Sequence, residues 1–137
     1  MAPRRNDTPT WDGAETRLGR PHILVRIWRA KIHPERISAL ENFAHAYSLP
    51  MFQAQVGCLG VLFTRNGSRC VTISIWENAA AIERLQSSRT YQEIVRQLEA
   101  TGILEGEQSV ESFQAFGGFL NWDEISVALD AGNDLIP

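Results

Sequence analysis

The apolar patterning of this chain predicts an α+β domain of order β-α-β-β-α-β, a four-stranded antiparallel sheet carrying its helices on one face. Three observations support this. Cys58–Trp76, CLGVLFTRNGSRCVTISIW, holds two β-branched apolar runs joined by an Arg-Asn-Gly break, a strong hairpin signal. Two segments, from Ile37 to about Ser48 and from Asn78 to Leu98, space their apolar residues at helical intervals. Shorter strand-like runs stand before the first of these and after the second.

The first strand is read over His22–Ala30, HILVRIWRA, where Ile23, Val25 and Ile27 alternate with Leu24, Arg26 and Trp28. Pro34 suits the first turn of a helix, where its missing N–H would have no partner anyway. Ile37, Leu40, Phe43, Ala44 and Tyr47 continue that helix to about Ser48, and Leu49–Gly57, with Pro50 and Gly57, reads as a loop. Asn78 is a good N-cap for a short helix with Ala81, Ile82 and Leu85 on its apolar side. Ser88 caps a second helix striped by Tyr91, Ile94, Val95 and Leu98, and Gly102 lies past its end. Gln108–Phe116 reads as the fourth strand, closed by Gly117-Gly118. A βαβ-type crossover on each side of a central hairpin gives the ferredoxin-like arrangement.

The hairpin register decides which residues share a face. A two-residue Asn66-Gly67 loop groups Leu59, Val61 and Phe63 with Cys70, Thr72 and Ser74. A three-residue Arg65-Asn66-Gly67 loop groups them with Val71, Ile73 and Ile75, making one face wholly apolar. The second is the expected register. The other face then carries Cys58, Gly60, Leu62, Cys70, Thr72, Ser74 and Trp76, with Leu24, Arg26 and Trp28 from the first strand. The helical stripes match the apolar face, so the mixed face is expected to lie uncovered, against a ligand or a second subunit. A dimer joined sheet to sheet covers so large a patch economically.

Residues 1–20 are Pro-, Gly- and charge-rich and read as a flexible tail, residues 21–118 as the domain, and residues 119–137 as a C-terminal extension. Phe119, Leu120, Trp122, Ile125 and Leu129 make that extension too apolar to be a free tail, so a short helix from an Asn121 cap is expected to pack on the domain or on a partner. The 137 residues carry a net charge of −3, against the basic footprint of nucleic-acid binders. No apolar run approaches the roughly 18–20 residues that span a bilayer, so no membrane role is expected. Cys58 and Cys70 stand roughly 13 Å apart in the expected register, beyond the ~7 Å a disulfide tolerates. Two structural free thiols fit a reducing cytoplasm.

The βαββαβ order, VGCLGVLF leading into the hairpin and ISIWENAAAIERLQSS after it together resemble the antibiotic biosynthesis monooxygenase family of the dimeric α/β barrel superfamily. The resemblance covers about residues 22–117; Gly57, Gly60 and Trp76-Glu77-Asn78 stand at its characteristic positions. It implies a homodimer with a small-molecule substrate in the barrel cavity. For some members it implies oxygenation of aromatic or polyketide-like quinones without cofactor, and for others haem degradation. Those haem-degrading relatives use a helix histidine, a helix tryptophan and a first-strand asparagine. Here Leu85 and Val95 occupy the helix positions and the first strand has no Asn, which leaves haem degradation the weakest reading.

The candidate constellation is Arg26 and Trp76 as catalytic residues, with Trp28, Thr72, Ser74, Leu24 and Leu62 binding substrate. Arg26 would hold a phenolate or enolate by charge-assisted hydrogen bonds, and the indoles would wall in aromatic rings. Beside this stands the plainer reading of an interface charge, interface tryptophans and ordinary strand residues. His22 is placed at the barrel rim, His33 in a turn and His45 at the edge of the helical stripe. His33 and His45 have no Cys or acidic partner in register, so no metal is expected, and no glycine-rich phosphate loop points to a nucleotide or flavin. The competing function is a protein of the same fold that binds a small molecule without turning it over.

Overall fold

Asn66 pairs with Arg69, so the hairpin closes through a two-residue Gly67-Ser68 turn. Gly67 takes φ +62, the sign that primed hairpin turns demand at that position. The three-residue loop is therefore corrected. Val61 stands opposite Ser74 and Phe63 opposite Thr72, while Leu62 stands opposite Ile73 on the other face. Cys70 faces Arg65, not Leu62. A bulge between Cys58 and Gly60 shifts the register once more, so Cys58 returns to the side of its partner Trp76.

This hairpin sits in a computed structural model that describes residues 22–134. The expected tail over residues 1–20 and the last residues of the extension lie outside the described part. The strands are β1 (Leu24–Ile32), β2 (Cys58–Asn66), β3 (Arg69–Trp76) and β4 (Leu104–Gln114). They form one antiparallel sheet in the order β2-β3-β1-β4, the predicted ferredoxin-like α+β architecture. β4 begins earlier than its apolar pattern suggests, because its first half, Leu104–Gln108, is mostly polar edge strand.

After β1 a single 3-10 turn, Pro34–Arg36, leads into α1 (Ile37–Phe43), which passes through a π-helical stretch, Ala44–Ser48, into α2 (Leu49–Gln53). The expected loop at Leu49 is thus largely helix. Pro50 has no N–H to give the Ala46 carbonyl, and its ring would press on it. The wider turn absorbs both problems, with the Leu49 N–H donating to the Ala44 carbonyl. α3 (Ala79–Ser87) and α4 (Arg89–Ala100) start at the predicted caps: Asn78 Oδ1 accepts from Ala81 N at 2.9 Å and Ser88 Oγ from Tyr91 N at 3.2 Å. α5 (Trp122–Asp134) follows Asn121, whose side chain accepts from Glu124 N at 3.4 Å.

The core lies between the helices and the mixed face of the sheet, which reverses the expected assignment. Leu24, Trp76, Phe52, Ala81, Ile82 and Leu85 form one cluster; Ile32, Cys70, Leu40, Phe43, Leu98 and Ile103 form the other. Arg26, Thr72 and Ser74 lie buried on this same face. The wholly apolar residues Val25, Ile27, Val71, Ile73 and Ile75 share the opposite face, which no helix of the sheet's helical layer covers. Alternation grouped the β1 and β3 residues correctly, but apolar character alone does not say which of two faces receives the helices.

Gly57 locks the loop before β2 against α3. It has φ +86, and a Cβ there would stand 2.6 Å from Ala81 Cβ, so no other residue fits without moving the helix.

Candidate ligand cavity

The small residues of the helix-facing sheet surface leave a cavity of about 610 Å³ beneath α1, α2 and α4, within the roughly 300–1,000 Å³ typical of small-molecule sites. Its floor is sheet, including Arg26, Trp28 and Thr72; its roof includes Phe43, Met51 and Phe52 with Tyr91, Ile94 and Val95 of α4. The walls are mostly apolar; their charged groups are Arg26 and Arg65 from the sheet and Glu41 and Asp130 from helices.

Arg26 pairs with Ser74 on β3 and Ser112 on β4, and these short neighbours leave room for its guanidinium. Its side chain is 4% exposed, donates from Nη2 to the Tyr91 hydroxyl at 2.8 Å and holds its guanidinium carbon 5.4 Å from the Tyr91 ring centre. Nε is buried without a hydrogen-bond partner, and no carboxylate among the described residues pairs with the charge. Arginine does not shed its proton in proteins, and a buried charge without a partner is unfavourable. The cavity wall thus carries a fixed cation that no carboxylate among the described residues pairs with.

Trp28 is held by its indole N–H, which donates to Gln108 Oε1 at 2.7 Å, and Gln108 donates in turn to Glu99 Oε2 at 3.0 Å. This second bond ties β4 to α4 and fixes one aromatic wall. Phe52 stands 6.4 Å from the rings of both Phe63 and Trp76, extending an aromatic surface through the roof into the core. At the mouth, Arg65 Nε meets Glu41 Oε2 at 2.9 Å. His45 places Nδ1 2.9 Å from the Glu41 carbonyl and Nε2 3.1 Å from the Asn133 carboxamide. Burial pushes the Cys70 thiol up to about 11, with a Thr72 hydrogen bond and the Arg65 charge opposing weakly. Cys58 is raised for the same first reason, with a hydrogen bond to Gly60 opposing. Neither is an activated nucleophile.

Of the seven predicted site residues, Arg26, Trp28, Thr72 and Leu62 line the cavity. Leu62 does so along the edge strand, although the pairing places its side chain with Ile73. Trp76, Ser74 and Leu24 lie behind the wall. Trp76 is fully buried, its indole N–H donated to Ser74 Oγ at 2.8 Å, while Ser74 Oγ reaches the Arg26 carbonyl at 3.4 Å. Their geometry supports Arg26 from below. Tyr91 escaped the sequence reading because its helical stripe accounts for it as core; a hydroxyl at the centre of such a stripe is the signal that marks it. Gln108 and His45 needed the tertiary fold. Among the described residues no group of three or more His, Cys, Asp or Glu side chains could hold a metal ion, and no helix is long and apolar enough to cross a membrane.

The sequence profile for antibiotic biosynthesis monooxygenases matches residues 23–97, more than half of the chain. No curated protein matches. A putative antibiotic biosynthesis monooxygenase from Caulobacter crescentus superposes with a TM-score of 0.62 at 13% identity, over 77% of this chain and 99% of that one. Rv0793 from Mycobacterium tuberculosis gives 0.60 at 19% identity, over 72% and 99%. SnoaB, a cofactor-independent oxygenase from Streptomyces nogalater solved as a point mutant, gives 0.55 at 17% identity, over 71% and 96%. At these identities the structural likeness establishes the fold.

Proposed function

The chain belongs to the antibiotic biosynthesis monooxygenase family, and from that premise we propose that it is a cofactor-independent monooxygenase acting on a small aromatic or polyketide-like substrate. The carrying observation is the Arg26 guanidinium, which lines the cavity with no carboxylate among the described residues paired to it. A phenolate or enolate supplies the missing charge, and the interaction gains strength in a water-poor cavity. Tyr91 steadies the guanidinium and Trp28 offers a flat wall for the rings. Holding the substrate as its anion lowers the cost of deprotonation. An anion of this kind is electron-rich enough to reduce dioxygen directly. At an activated CH₂ one oxygen atom becomes the carbonyl, the other leaves as water, and the substrate provides all the electrons.

Oxygen uptake with a panel of polycyclic phenols tests this reading. Arg26→Met is expected to reduce turnover at least about 100-fold, the size seen when one oxyanion donor is lost, while Arg26→Lys retains part of it. Equal turnover in all three proteins would overturn the assignment of Arg26.

The alternative is ligand binding without turnover, favoured by one observation: both ring nitrogens of His45, a histidine at the cavity, are already engaged. It predicts a co-purifying molecule released unchanged and no oxygen uptake with any phenol tested.

The apolar face turned away from the helical layer supports a homodimer joined through the sheets, with Val25, Ile27, Ile73, Ile75 and Phe113 at its centre. Native mass spectrometry at twice the 15.4 kDa chain mass would bear this out; a monomer at micromolar concentration would count against it. The two free thiols, Cys70 buried and Cys58 half-buried, support a cytoplasmic location.

A further inference from the structure

α5 lies beyond residue 97, where the family match ends, yet it lines the cavity. We propose that α5 is a specificity-determining cap, closing the cavity along β2 and latched by Asn133 on His45. This rests on the reading of the cavity as a site for an aromatic anion.

Trp122, Ser126, Leu129 and Asn133 follow at intervals of four, three and four, the spacing of one helical face. Each end of that face is attached. At the start, Trp122 lies over Gly60, close enough that a Cβ there would touch its Cη2 at an ordinary 3.7 Å. At the finish, the Asn133 carboxamide meets His45 Nε2 at 3.1 Å. His45 Nδ1 faces the Glu41 carbonyl and Nε2 faces Asn133 Oδ1, so both ring nitrogens are engaged. A carboxamide offers both an acceptor oxygen and a donor NH2, so Asn133 can match either tautomer of the ring. Between the two attachments Ser126, Ala128 and Leu129 border the cavity.

The cap is built to detach. Apart from half-buried Ile125, its described side chains are exposed, and a segment with so little buried surface opens at low free energy. The connector contains Gly117-Gly118, and Gly118 takes φ +122, a conformation suited to a hinge. Ligand entry then requires only that α5 lift from the β2 edge, while the sheet and the α1, α2 and α4 roof stay in place. Leu129 sets how much room remains beneath the closed cap.

Anilinonaphthalene sulfonate, a planar aromatic anion, serves as probe for the full chain. Its fluorescence gives affinity, and stopped-flow displacement gives the release rate. Asn133→Ala is expected to release the probe about fivefold faster, the effect of one lost hydrogen bond. Leu129→Trp is expected to weaken binding by a similar factor or more, and Arg26→Met to abolish it. Loss of binding in Arg26→Met with both α5 variants unchanged would overturn the cap and leave the cavity reading intact. A probe indifferent to Arg26→Met would overturn the cavity reading instead. A ligand-independent readout then decides the cap: His45→Cys combined with Asn133→Cys, treated with a short bis-maleimide, should cross-link within one chain at 15.4 kDa. No cross-link, or one joining two chains, overturns the proposal.

Discussion

One face of the sheet carries Leu24, Arg26, Trp28, Thr72 and Ser74 beneath the helices; the other carries Val25, Ile27, Val71, Ile73 and Ile75 with no helix of that layer over it. The polar residues are therefore inside and the uniformly apolar ones outside. The two faces solve different problems. Beneath the helices, short side chains and a charge hold open a chamber, and the surrounding Leu, Phe and Trp residues close the core around it. On the far side, branched aliphatic residues make a flat surface suited to a second copy. An apolar strand face marks something to be covered, and it does not tell whether the cover is a helix or another molecule.

That contrast can be broken from either side. The largest effect is expected on the outer face: Ile73→Asp places a charge at its centre and should weaken self-association at least about 100-fold, with the circular dichroism spectrum unchanged. A dimer of undiminished affinity would mean that the apolar face is not the interface.

Next comes Ser74→Ala on the inner face, which strands the fully buried Trp76 indole N–H; chemical denaturation should show a loss of roughly 1–3 kcal/mol. A smaller loss than that of Ile73→Ala, measured on monomer, would contradict the inner face as the core.

Arg26→Met should move stability the other way. It replaces a buried, incompletely partnered charge with a chain of similar length, so the thermal midpoint should hold or rise by a few degrees as turnover falls. A large destabilisation would mark Arg26 as a structural residue.

The smallest effect concerns Cys70. Its folded thiol titrates near 11 against an ordinary 9.0, so it keeps its proton where the unfolded chain loses one. The stability this gives is complete below about pH 9 and is lost as pH rises toward 11. Cys70→Ala should flatten that alkaline fall in thermal midpoint, and iodoacetamide should leave Cys70 unmodified at pH 8 in the folded protein. Rapid labelling at pH 8 would show that the inner face opens readily.

Much of this was written in the chain. Asn78 and Ser88 mark the starts of α3 and α4 because an oxygen at an N-cap satisfies an otherwise orphaned amide, a bond made within three residues. Strand alternation placed Leu24, Arg26 and Trp28 on one face with Thr72, Ser74 and Trp76, because the period of two is a property of the backbone itself. Composition and element order set the α+β class and the family resemblance.

Other features belong to the tertiary structure. The hairpin turn moved from Arg65-Asn66-Gly67 to Gly67-Ser68 because the Ile32 N–H also claims the Ser68 carbonyl, at 2.8 Å, a partner distant in sequence. Pro50 reads locally as a helix stop and is carried by a π turn that no propensity announces. Which face the helices cover, which of Arg26 and Trp76 meets the cavity, and the meeting of Arg26 with Tyr91 and of His45 with Asn133 are all long-range facts. They follow from how layers pack, and local sequence constrains the composition of each layer but not its neighbour.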